Sequence, residues 1–118
     1  MSESNVLLAE VNYIKNKVDS IEKIQILNLR SNHALKDEYI ALFKSENGLF
    51  PVYKAVDGIR TQRDIVAVTA LSEATVSRKL NALFQHGLIE IKAIDGSKKI
   101  YQHSVAEKAF GLMKVDIE

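Results

Sequence analysis

A chain of 118 residues, 47% of them apolar, supplies core for one compact domain and an appended element, but not for two full domains. It has no cysteine, which excludes disulfides, thiolate metal ligands and a cysteine nucleophile. The formal net charge of +1 excludes a wholesale polycation, yet residues 50–104 hold eight Lys/Arg against five Asp/Glu, so the positive excess is local.

Met1 to Asn5 is polar and is expected to fray. From about Asn5 to Arg30 no Gly or Pro interrupts the chain, and Leu7, Val11, Ile14, Val18 and Ile21 recur at spacings of four, three, four and three. That is a heptad seam on a long helix. Segment 1–32 is therefore read as a dimerisation helix with those five residues as its interface. Across a parallel homodimer Glu10 would pair with Lys15, and Lys17 with Glu22. An antiparallel pair can also be made favourable with these charges. The seam stops at Gln25 and Asn28, while Ile24, Ile26, Leu27 and Leu29 crowd other faces. The alternative is that the helix covers only its own domain.

Ser31 or Asn32 can cap a second helix, Ala34 to Ser45, with Leu35, Tyr39, Ile40, Leu42 and Phe43 on a broad apolar face; Asn47-Gly48 ends it. Pro51 suits the first turn of a short helix, Pro51 to Asp57, which turns Val52, Tyr53 and Val56 inward and stops at Gly58. Tyr39, Phe43, Phe50 and Tyr53 would form the core that joins these parts or, alternatively, the wall of a small-molecule pocket.

Thr61 caps a helix to Thr69 that buries Ile65 with Val68 or Thr69. Ser72 is a good N-cap for a helix over 73–86, and Glu73 suits the positive end of its dipole. Val76, Leu80 and Leu83 mark the buried stripe. The opposite face carries Ala74, Arg78, Asn81 and Gln85, flanked by Thr75 and Ser77. Gly87 ends the helix, and His86 can meet its last carbonyls. Such a face can enter a major groove and reach base edges and phosphates, although an ordinary solvated face looks much the same.

Leu88 to Ile94 alternates apolar and polar residues, Asp95-Gly96 is a turn signal, and Lys99 to His103 returns as the second strand of a hairpin. Ser97, Lys98 and Lys99 occupy its tip, where lysines serve either phosphate contact or solubility. Ser104 caps a last helix, Val105 to about Lys114, with Ala109, Phe110 and Met113 on its apolar side. Val115 to Glu118 is acidic and is expected to be loose.

The stretch from Asp57 to Ile91, DGIRTQRDIVAVTALSEATVSRKLNALFQHGLIEI, resembles the core of winged helix-turn-helix transcription regulators, the group that includes MarR-like and ArsR-like proteins. Ile65, Leu71, Ser72, Thr75, Val76, Ser77 and Arg78 carry the match. Val66, Thr69 and Ala70 depart from it, standing where Ala, Leu and Gly are usual. The resemblance implies a mainly α fold with a small β-hairpin wing: a winged helix-turn-helix domain over 33–104, a preceding long N-terminal helix, and a C-terminal helix and tail over 105–118. It further implies a homodimeric transcriptional regulator that binds double-stranded DNA, with helix 73–86 in the major groove and the wing, 95–99, on the backbone. Arg78 would contact base or phosphate, with Thr75, Ser77 and Asn81 beside it and Ala74 allowing close approach. Arg60, Arg63, Lys98 and Lys99 would contact phosphate. The alternative is a winged-helix protein–protein interaction module that docks through the N-terminal helix. A small-molecule-responsive repressor would differ only by an effector pocket.

Other chemistry finds little support. His33, His86 and His103 match no zinc spacing, no Gly-rich phosphate loop is present, and no serine lies in a nucleophile-elbow pattern. No metal, cofactor or enzymatic activity is expected. Without a long apolar run or a secretory leader pattern, no membrane partner is expected either, and the location expected is cytoplasmic.

Overall fold

After one long N-terminal helix, capping residues and positive-φ turns divide the chain into short, well-bounded elements. The computed structural model describes residues 3–117, a mainly helical chain with one two-stranded antiparallel sheet. The helices are α1 (Glu3–Arg30), α2 (His33–Ser45), α3 (Leu49–Ala55), α4 (Gln62–Thr69) and α5 (Glu73–Gln85). Strands β1 (Ile89–Asp95) and β2 (Lys98–His103), helix α6 (Val105–Phe110) and a 3-10 turn (Leu112–Lys114) follow.

The core lies where α3, α4 and α5 converge. Leu49, Val52 and Tyr53 from α3, Ile65 from α4, and Val76, Leu80 and Leu83 from α5 are all buried, together with Leu88, Ile89, Phe110 and Leu112. The stripe expected on α5 is thus the buried one, and each of its members is worth roughly 1.5–3 kcal/mol of burial. Of the two candidates beside Ile65, Thr69 is half-buried and Val68 is 55% exposed. Phe43 packs on Phe50 and Tyr53 with ring centroids 5.0 and 5.1 Å apart, so these aromatics fill core, and Phe43 and Phe50 also form part of the wall of an open depression.

Caps fix the helix starts. Asn32 Oδ1 accepts from the Leu35 N–H, Ser72 Oγ from Thr75 N–H, and Ser104 Oγ from Ala106 N–H. Thr61 forms a reciprocal capping box with Asp64: the Asp64 N–H donates to Thr61 Oγ1, and the Thr61 N–H donates to Asp64 Oδ2 at 3.0 Å.

Several boundaries differ from expectation. The end expected to fray is helical from Glu3, with Met1 and Ser2 outside the described residues. Helix α3 begins at Leu49 rather than Pro51, because Gly48 (φ 85°) turns the chain early and places Leu49 and Phe50 in the core. It ends before Asp57, whose carboxylate instead accepts from the Ile59 and Arg60 N–H groups as a turn. The hairpin loop is Gly96-Ser97, since Asp95 already pairs with Lys98. The last helix does not reach Lys114: Gly111 adopts φ 62° and breaks it after Phe110, so Leu112 is buried where Met113 was expected and Met113 is 39% exposed. The tail expected to be loose packs Val115 and Ile117 partly against the core, and Glu118 lies outside the described residues. Residues 105–117 therefore share the core of the preceding domain.

Helix α1 attaches by one side of its C-terminal half. Only Glu22, Ile26 and Leu29 are half-buried among its residues from Leu7 onward, and Glu22 accepts from Lys108 on α6. Leu7, Val11, Ile14, Val18 and Ile21 are each more than half exposed. Glu22 is thus engaged within its own chain. Among the described residues no helix is long and apolar enough to cross a membrane.

Ala70 is the one positive-φ residue other than glycine among those described, at φ 57°, and its N–H closes α4 on Val66 O at 3.0 Å. Replacing Ala70 by Gly removes the left-handed strain and should stabilise the protein by about 0.5–1 kcal/mol after the greater unfolded-state entropy of Gly is counted. Chemical denaturation of the two proteins measures the difference; unchanged or lower stability would show that the turn stores no strain.

Candidate functional site

Burying Val76, Leu80 and Leu83 against α3 and α4 forces the opposite side of α5 into solvent. Ala74, Ser77, Arg78, Asn81 and Gln85 are exposed there. The hairpin rises beside this face, and between the two runs an open groove of about 760 Å³. Arg63 from α4, Ser77, Arg78 and Asn81 from α5, and Ser97, Lys98 and Lys99 from the hairpin all line it. Four cations therefore share one concavity with a single carboxylate, Glu73.

Three expected residues stand apart. The Arg60 guanidinium donates to Ala55 O at 3.1 Å and lies 3.6 Å from the Asp57 carboxylate, and it lines a separate depression with Lys44 and Lys54. Its first task is to brace the loop after α3. Thr75 is half-buried, and its Oγ1 accepts from Ser72 Oγ at 2.8 Å and from Arg78 Nη2 at 3.4 Å. It orients Arg78 more directly than it offers a free hydroxyl. Ala74 is exposed on α5 but outside the groove lining.

The structure adds residues that local sequence patterns did not single out. Gln62, Phe84, Ile91 and Tyr101 also line the groove, with Phe84 42% and Ile91 38% exposed. Phe84 and Ile91 give the groove apolar surface next to its cations. Their signal was present only as apolar residues left over from the buried stripe of α5 and from the strand.

The groove's shape depends on how the hairpin is anchored. The Gly58 N–H donates to Tyr101 O at 3.0 Å, and Thr61 forms an isolated antiparallel bridge with Ile100. A bulge between Ile91 and Ala93 sets Lys92 apart from the ladder, and Lys92 Nζ donates to Gly58 O at 3.0 Å. Lys92 thus braces the back of the hairpin while Lys98 and Lys99 face the groove. Among the described residues no three His, Cys, Asp or Glu side chains assemble as a metal site. Compared with protein families, curated proteins and solved structures, the chain gives no match.

The Asp64 carboxyl is held below the usual aspartate range, first by the Thr61 N–H, then by the Thr61 hydroxyl, and more weakly by the charges of Lys98 and Arg60. A depressed carboxyl stabilises the fold above its unfolded value, about pH 4, and that stabilisation is lost as pH falls through the lower folded value. Asp64→Asn should therefore lower thermal stability at neutral pH and narrow its deficit against the native protein below pH 4. Melting curves from pH 2 to 7 read this directly, and a deficit that stays constant across the range would rule out the ionised cap.

Proposed function

We propose that the chain folds as a winged helix-turn-helix and binds double-stranded DNA as a homodimeric transcriptional regulator, with α5 in the major groove and the hairpin as its wing. The observation that carries this reading is the groove in which Arg63, Arg78, Lys98 and Lys99 converge beside Ser77 and Asn81. Cations and neutral donors on one concavity suit phosphates flanking readable base edges. The order of α4, turn, α5 and hairpin, and the bridge from Thr61 to the hairpin, support the winged fold. Arg78 is the primary contact, oriented by Thr75, and Lys98 and Lys99 hold the backbone. A cytoplasmic location accords with this role.

A second reading is favoured by one observation, the uncovered apolar stripe of α1: a protein-docking module that uses this helix on a different partner. Salt separates the two readings. On random duplex the four cations of each groove can all meet phosphates, which gives a slope of log K against log salt near −3.6 per groove on B-DNA, so affinity falls on the order of a hundredfold per engaged groove between 50 and 200 mM salt. Fluorescence anisotropy at the two salts should show that fall. Lys98→Ala should weaken all sequences alike and reduce the slope by about one per groove. Arg78→Ala should cost roughly 5- to 150-fold on a preferred site, the range of about 1–3 kcal/mol for a base contact. Absence of duplex binding at the lower salt would discard the DNA reading in favour of the docking module.

A further inference from the structure

We propose that α1 pairs with α1 of a second copy of this chain in antiparallel orientation, through Leu7, Val11, Ile14 and Val18. This deepens the homodimer reading above and rests on it. At 100° per residue these four side chains fall within about 60° of the helix circumference, and each is between 56% and 61% exposed. A narrow apolar stripe with four-three spacing is best covered by a like stripe, knob into hole.

The two flanks of the stripe are not equivalent. Glu10 and Lys17 lie on one side, both exposed; Glu22, Ile26 and Leu29 lie on the other, half-buried where α1 meets its own domain, with Glu22 held by Lys108. A parallel, in-register pair requires Lys17 to meet Glu22 of the second copy, which is already engaged. It also extends the seam to Gln25 and Asn28, each facing its own copy. An antiparallel pair with Val11 over Ile14 and Leu7 over Val18 of the second copy avoids both difficulties. It confines contact to the uncovered half of α1, so the joint with α6 stays as it is. It also brings the two free flanks together, and Glu10 meets Lys17 of the second copy twice by symmetry. Charge complementarity thus falls on the side of the helix that the domain leaves open.

The absence of native cysteine makes orientation measurable. Leu7→Cys and Val18→Cys are both at exposed positions, and circular dichroism confirms that each variant folds. In the antiparallel pair Leu7 lies eleven residues along the helix from its own copy, about 16 Å at 1.5 Å per residue. A disulfide spans at most ~7 Å between Cα atoms. Under mild oxidation each variant alone should stay uncrosslinked, and an equal mixture should yield a covalent dimer on a non-reducing gel. Self-crosslinking of each variant alone would overturn the antiparallel orientation while leaving a homodimer. No crosslink in any sample overturns this pairing, and a monomeric mass for the native chain by sedimentation would remove the homodimer reading as well. Duplex affinity measured on the same samples judges the DNA-binding groove independently of either result.

Discussion

Tyr53 is the side chain to which the rest of the domain is tied. Fully buried in α3, it packs its ring 5.1 Å from Phe43 of α2 and 4.4 Å from the His103 ring of β2. Its carbonyl oxygen lies 2.7 Å from His103 Nε2. Its hydroxyl donates to Glu107 of α6 at 3.0 Å, and the same carboxylate oxygen accepts from the Met113 N–H. A phenol buried without a partner would cost roughly 1–3 kcal/mol; here the carboxylate satisfies it. Burial, and then the nearby Glu107 charge, push its ionisation well above the usual tyrosine range, so the hydroxyl remains a donor throughout. One residue thereby joins α2, α3, β2, α6 and the 3-10 turn.

That attachment determines the groove. Helix α5 packs on α3 through its apolar stripe, and the base of the hairpin is fixed to α3 through His103 and Tyr53. The distance between α5 and the hairpin is therefore set by a shared support rather than by direct contact between their polar faces. The loop after α3 adds a second anchor through Gly58 and Thr61, and Arg60 with Asp57 shapes that loop. Cations that repel one another can be held together because core burial and backbone hydrogen bonds, not their own interactions, position them.

Local chemistry was legible in the sequence. Ser72, Thr61 and Ser104 announced helix starts, the spacing of Val76, Leu80 and Leu83 announced the buried side of α5, and Asp95-Gly96 announced the hairpin. Each depends on residues within a turn or two. What failed to show depends on distant partners. Arg60 looked free because the carbonyl of Ala55 and the turn formed by Asp57 exist only after folding. The role of Lys92 required a bulge, and the addition of Phe84, Ile91 and Tyr101 to the groove required the hairpin to lie beside α5. The early stop of α6 is written at Gly111, but the helical spacing of Ala109, Phe110 and Met113 masks it. The charge pattern on α1 leaves two orientations open, and the Lys108–Glu22 ion pair depends on α6 lying beside α1, which no local pattern records.

A near-neutral chain that binds a polyanion must do so through concentrated charge. Exposed charges separated by more than ~10 Å are largely screened at 0.1 M salt, so distant acids and bases contribute little at the groove, whereas Asp64 is near enough to Lys98 for their charges to interact. Four cations against Glu73 give a local excess, yet one such groove offers a short contact with a duplex. On the DNA-binding reading, the apolar surface of Phe84 and Ile91 suits the methyl group of thymine, a contact made only at close approach. Two grooves held at a fixed separation achieve what one cannot, because the second contact becomes intramolecular and its effective concentration is set by the link. On the homodimer proposal the link is α1, joined to its domain by Glu22, Ile26, Leu29 and the Lys108 ammonium, whose ionisation Glu22 holds above its usual range. On the same proposal, the stiffness of that small joint, far from the groove, would govern how well two copies of α5 engage one duplex together.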